Sequence, residues 1–278
     1  MTSKPPRNIA ASVRQRLTNL SRERKEDLQF VLTRYGLERL LYRLSISPHA
    51  SQFILKGAAL FQLWTGQPHR STRDLDLLGY GAPSPERLQT IFIEICSLAV
   101  DADGVVFSPE TIQAEQINED AEYLGIRLRI ECRLENARLT LQIDIGFGDA
   151  ITPEPLSTNY PTLLEFPAPQ LRVYPRETVV AEKFQAMVAM GIANSRMKDF
   201  YDVWTLAQQF EFDGTLLSSA IRATFERRQT PIPNSPPPFN DVVRLLQDFL
   251  MPPTIAIPQH PSWPYSWTTR EWRRLSET

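Results

Sequence analysis

Two adjacent segments constrain the fold more than any other part of this chain. In residues 126–134, Ile126, Leu128, Ile130, Cys132 and Leu134 alternate with Arg127, Arg129, Glu131 and Arg133. In residues 139–147, Leu139, Leu141, Ile143, Ile145 and Phe147 alternate with Thr140, Gln142 and Asp144. A period of two sends each set to one face of a strand, so both segments read as half-buried strands. The short polar stretch between them closes a hairpin. Apolar must face apolar, because a one-residue slip would turn every side chain to the wrong face. A two-residue turn at Asn136–Ala137 meets that condition and pairs Glu135 with Arg138, Glu131 with Gln142 and Arg129 with Asp144.

Helical periods surround this hairpin. Residues 8–44 read as helix, with stripes at Val13, Leu17 and Leu20, at Leu28, Val31, Leu32 and Tyr35, and at Leu37, Leu40, Leu41 and Leu44. Phe53, Ile54 and Leu55 form a short strand ending at Lys56–Gly57, followed by a helix from Ala58 that Gly66 closes. Leu75, Leu77 and Leu78 mark a second strand. Ser84–Pro85 caps a helix whose apolar positions are Leu88, Ile91, Phe92, Ile95 and Leu98. Residues 150–175 are rich in proline and read as a connector. Helices are expected over 177–190, 196–210, 214–228 and 241–250, with an aromatic and basic tail carrying Trp263, Tyr265, Trp267, Trp272, Arg270, Arg273 and Arg274. The expected class is α/β (α+β): a small mixed sheet flanked by helices, with a helical C-terminal lobe. The expected division is residues 1–165 and 166–278.

The 278 residues suffice for one large domain or two smaller ones of about 150 residues. A hydrophobic fraction of 42% with a net charge of −2 fits a globular chain and argues against a generally sticky nucleic-acid binder, though not against a local basic groove. The longest apolar stretches are too short to span a bilayer, and no apolar core follows the basic N-terminus. Cys96 and Cys132 form no disulfide framework. A reduced, cytoplasmic compartment is the expectation, with no membrane and no disulfides.

Four candidates carry chemistry. Asp74 and Asp76 sit two apart on a strand and so share a face, while Leu75 and Leu77 point to the core. Two adjacent carboxylates suit a hard cation such as Mg²⁺. Two such ions about 3.5–4 Å apart can clamp the oxygens of a phosphoryl transfer. Taken alone, the pair also fits a strand edge neutralised by Arg70 and Arg73. Gly57, after Lys56, would let backbone N–H groups approach a phosphate. Asp144 would reach the same cation from a neighbouring strand, or pair with Arg129. Lys183, with Arg196, Asp199 and Asp202 spaced by three along a helix, reads either as a helix–helix ion pair or as a phosphate-gripping lysine positioned by Asp199. The arginines and lysine at 14, 16, 22, 24 and 25 read as a solvated helix face or as a phosphate-backbone contact.

Taken in order, Lys56–Gly57, the Arg70-Ser-Thr72-Arg-Asp74-Leu-Asp76 strand, Asp144, Lys183 and the Arg196-Met-Lys-Asp199-Phe-Tyr-Asp202 helix resemble the nucleotidyltransferase family that includes the AbiEii and AbiGii abortive-infection toxins and the related MenT toxins. The resemblance runs from about Phe53 to Leu206. One departure is Ala58, where many relatives carry a second glycine. The resemblance implies a bi-lobed protein that transfers a nucleoside monophosphate from an NTP, with Mg²⁺, and releases pyrophosphate. For MenT-like members the acceptor is the 3′ end of tRNA. Asp74 and Asp76 match the metal pair and Asp144 a third carboxylate. Lys183 and Asp199 match the essential lysine and aspartate of the second lobe, with Lys56, Gly57, Arg70, Thr72 and Arg196 on the substrate side. A cognate antitoxin encoded nearby is the implied partner. A phosphate on Thr72 would compete with the triphosphate for the cation. The same chemistry on a protein or small molecule, and a non-catalytic module on the same fold, are the alternatives. Intact Asp74, Asp76, Lys183 and Asp199 count against the latter.

Overall fold

A computed structural model describes residues 8–66, 74–120, 123–190, 197–233, 249–250, 253, 265–268 and 271–274. The chain divides into two compact units: residues 1–148 with 157–173, and residues 149–156 with 174–278. It therefore passes between units at 148/149, 156/157 and 173/174, rather than once near residue 165.

Unit 1 opens with α1 (Ile9–Arg24) and α2 (Leu28–Ile46). The single helical run expected to Leu44 is broken because Lys25 takes a left-handed conformation with φ of 54°. Its N–H reaches the Arg22 carbonyl and the Glu26 N–H reaches the Ser21 carbonyl, which closes α1 as a Schellman turn. Asp27 then caps α2 through the Phe30 N–H at 3.0 Å. After α2 come β1 (Phe53–Lys56), α3 (Ala59–Thr65), β2 (Asp74–Gly79) and α4 (Pro85–Cys96). Ser84 accepts from the Arg87 N–H, as its position before Pro85 requires. The strands β3 (Val105–Asp120), β4 (Tyr123–Leu134), β5 (Ala137–Phe147), β6 (Leu156–Asn159) and β7 (Gln170–Val173) complete the unit.

Among the described residues, seven strands form one mixed sheet in the order β3-β4-β5-β2-β1-β7-β6. The β3-β4-β5 run is antiparallel, β5 and β2 are parallel, β2 and β1 antiparallel, and β1 and β7 parallel. Leu55, Leu77, Ile145 and Ile126 stand side by side across four strands, all buried. This apolar face supports the core with α2 packed on β5 and β7. Each fully buried Leu or Ile contributes roughly 1.5–3 kcal/mol of transfer free energy. The mixed α/β class is as expected, and the sheet is larger than expected.

Two local readings need correction. The hairpin turn is Glu135–Asn136, not Asn136–Ala137: Leu134 pairs with Ala137 and Arg127 with Asp144. Glu135 takes the positive φ, 54°, which leaves Ala137 free of the left-handed region it disfavours. The connector at 150–175 contributes β6 and β7 to the sheet edge. The edge strand β3 shows no clean alternation because its register shifts between Ser108 and Gln113, around Pro109.

Unit 2 holds α5 (Arg176–Met190), α6 (Met197–Gln209) and α7 (Gly214–Arg227). A small sheet of β8 (Phe212–Asp213), β9 (Tyr265–Thr268) and β10 (Glu271–Arg274) adds to the expected helices. The buried side chains Val180, Phe184, Leu206, Ile221 and Phe225 form its core. Arg228, just past α7, donates to Gln185 at 2.9 Å and to Asp149 at 3.0 Å, which ties three segments together. Of the helix expected over 241–250, only residues 249 and 250 lie within the described residues, and both are helical. Trp263 and Arg270 lie outside them. Among the described residues no helix is long and apolar enough to cross a membrane. Cys96 and Cys132 are buried free thiols, each pushed up to about 12 by desolvation.

Candidate active site

The register of the sheet builds the site. Directly opposed residues on paired strands share a face. Lys56 opposes Asp76, Asp76 opposes Asp144, Asp144 opposes Arg127 and Arg127 opposes Glu115. Five strands thus contribute one transverse row of charged residues: Lys56, Asp76, Asp144, Arg127, Glu115. The next row on the same face is Asp74, Gln142, Arg129 and Gln113. Asp74 and Asp76 are half-buried while Leu75 and Leu77 are fully buried, so the two carboxylates share the polar face as their spacing dictates.

Gly57 makes room for this arrangement. Its φ is +73°, and a Cβ there would lie 1.9 Å from Asp76 Oδ2. The Asp76 carboxylate occupies space that any other residue at position 57 would fill. Gly57 is therefore required for its backbone conformation and for its missing side chain.

Asp144 is held by Arg127. Arg127 Nε donates to Oδ1 at 2.8 Å and Arg127 Nη2 to Oδ2 at 2.7 Å, a two-pronged pair in which the Asp144 side chain is 7% exposed. The hydrogen bond to Asp144 raises the Arg127 guanidinium above its ordinary value, with Glu115 and Asp74 adding to it. The expected partner Arg129 instead pairs with Glu115 at 2.8 Å. The two-residue register difference causes the exchange.

Among the described residues, no three His, Cys, Asp or Glu side chains are gathered as a ready cation cage. Mg²⁺ keeps several waters and is commonly held by one or two carboxylates together with substrate phosphates. The half-exposed pair Asp74 and Asp76 fits that demand, and Asp144 is held by Arg127.

Unit 2 carries a second cluster. Lys183 Nζ, from α5, lies 2.9 Å from Asp199 Oδ1 and 2.7 Å from Asp202 Oδ2, both on α6. Asp202 is fully buried and Asp199 nearly so. One ammonium against two buried carboxylates pins α5 to α6. Asp202 is a member that the sequence suggested only through its three-residue spacing from Asp199. Arg70, Thr72, Arg73 and Arg196 lie outside the described residues.

The sequence matches the family described as the nucleotidyl transferase AbiEii toxin of type IV toxin–antitoxin systems over residues 39–261. Among solved structures, JHP933 from Helicobacter pylori is 16% identical, with a TM-score of 0.45, covering 84% of this chain and 91% of its own. A Helicobacter pylori chain provisionally described as a nucleotidyltransferase is likewise 16% identical, with a TM-score of 0.45, covering 84% of this chain and 94% of its own. Among curated proteins, none matches the chain. With the family match spanning most of its length, the chain belongs to the AbiEii nucleotidyltransferase toxin family.

Proposed function

We propose that this toxin transfers a nucleoside monophosphate from an NTP to the 3′ end of an RNA, with tRNA the foremost acceptor, in the cytoplasm and under the control of a neighbouring antitoxin. The observation that carries the reading is the shared polar face of Asp74 and Asp76 beside Gly57. Bound there, Mg²⁺ supplies neutralisation of the triphosphate charge. Asp74 and Asp76 would hold it, and the backbone at Gly57 would let a phosphate come close. The acceptor hydroxyl oxygen forms a bond to the α-phosphorus, the bond to the bridging oxygen breaks, pyrophosphate leaves and the hydroxyl proton passes to solvent. Lys183, oriented by Asp199 and Asp202, would be the essential lysine that the family resemblance implies. Such chemistry is mostly positioning and electrostatics.

A protein or small-molecule acceptor is the second reading. It is favoured by the use of two helix arginines in ion pairs: Arg14 meets Glu135 at 2.9 Å and Arg16 approaches Glu165 at 3.9 Å. Arg22, Arg24 and Lys25 stay exposed at the end of α1 and remain available to a phosphate backbone. Pyrophosphate release, followed with each NTP and Mg²⁺, separates the readings. Stimulation by total RNA and not by RNA-depleted extract supports the first; the reverse supports the second.

A further inference from the structure

We propose that Arg127 is a positioning residue that withholds Asp144 from the cation until nucleotide arrives. This rests on the reading of Asp74 and Asp76 as the cation pair. Asp144 stands beside Asp76 in the sheet register, the place from which a third carboxylate would reach the same cation. Yet both of its oxygens accept from Arg127, at 2.8 and 2.7 Å. In the register Lys56 stands next to Asp76 and Arg127 next to Asp144, so each of the two central carboxylates has a cationic side chain on its outer side.

Arg127 is also placed to change partner. Its side chain is 29% exposed, while that of Asp144 is 7% exposed. Its neighbour across the sheet on the other side, Glu115, is already paired with Arg129. A guanidinium that leaves Asp144 on this face stays within the field of Asp74, and a nucleotide triphosphate held at that carboxylate offers it oxygens to grip in the same two-pronged geometry. Nucleotide then frees Asp144 for the cation, and cation and nucleotide each strengthen the other's binding through this one side chain.

The test is direct Mn²⁺ binding to the full chain without nucleotide, read from free Mn²⁺ by electron paramagnetic resonance, beside binding of an NTP in EDTA. Arg127→Gln should bind Mn²⁺ about tenfold more tightly than the native chain, the size of one well-placed charged ligand. It should bind NTP in EDTA more weakly. Adding Asp144→Asn to it should remove the gain. Arg129→Gln removes a positive charge from the same face without freeing Asp144, and should leave Mn²⁺ binding within about twofold. Arg127→Lys keeps the charge but loses the second prong, and should give an intermediate gain should the glutamine variant fold poorly. If Arg127→Gln or Arg127→Lys binds Mn²⁺ no better than the native chain, or if Arg129→Gln gains as much, the proposal is overturned. Mn²⁺ binding that Asp74→Asn abolishes would leave the cation pair standing in that event. Absence of Mn²⁺ binding in every variant overturns both.

Discussion

At the scale of single residues, Gly57 and Glu38 make the sharpest claims. A methyl group on Gly57 meets Asp76 Oδ2 head-on, and the left-handed backbone costs a further 1–2 kcal/mol or so for a residue with a Cβ. Gly57→Ala is expected to displace the Asp76 carboxylate and lower transfer by about a hundredfold, the usual effect of a misplacement near 1 Å. Steady-state kinetics beside circular dichroism would check it; an active, normally folded variant would contradict the account. Glu38 lies buried on α2, 3.1 Å from Arg39 Nη2 and accepting from the Leu163 N–H at 2.7 Å. Burial nonetheless pushes its carboxyl up to about 7 from an ordinary 4.5. The folded state thus holds this proton more tightly than the unfolded state. Stability from this group is greatest below pH 4.5 and falls as pH rises to about 7. Urea unfolding between pH 5 and 8 should show Glu38→Gln improving relative to the native chain by a few kcal/mol as pH rises. An unchanged difference across that range would refute the assignment.

At the scale of elements, two helix features make opposite predictions. The α1 terminus places Lys25 in the left-handed conformation with Schellman hydrogen bonds already in place. Lys25→Gly should therefore stabilise the protein by about 0.5–1 kcal/mol, read as a rise in melting temperature of a few degrees. In unit 2, Lys183→Met would leave two buried carboxylates without their ammonium and should cost about 3–5 kcal/mol. Calorimetry would detect this even without substrate, and an unchanged melting temperature would count against the pinning of α5 to α6. Its loss of activity has to be judged on protein shown to be folded. The elements also divide by how far they can be read from residues alone. Helix α4 announces itself through its Ser84 cap and a 3.6-residue period. The β4–β5 hairpin announces its faces but not its register, because a shift of two residues keeps every side chain on the same face. That is why Arg129, rather than Arg127, is the partner expected for Asp144. The left-handed Glu135 decides it, and no glycine marks the turn. β6 and β7 are four residues each, too short for a period to show, and the bulge in β3 erases its alternation.

At the scale of the whole molecule, the family match over residues 39–261 takes in every residue of the polar row. Asp74, Asp76 and Lys56–Gly57 were legible because strand spacing and a glycine turn are local signals. The row itself was not legible, because it joins five strands whose order cannot be read from any one of them. The two clusters, around Asp76 in unit 1 and around Lys183 in unit 2, are each internally defined by close contacts and register. The central claim is that Asp74 and Asp76 support nucleotidyl transfer to RNA. The most direct measurement incubates the chain with each α-phosphate-labelled NTP, total tRNA and Mg²⁺, and compares it with Asp76→Asn. The account predicts label at RNA 3′ ends with the native chain and at least about a hundredfold less with the variant, whose circular dichroism and melting temperature stay near native. Equal labelling by Asp76→Asn, or no labelled RNA with any NTP, would contradict it.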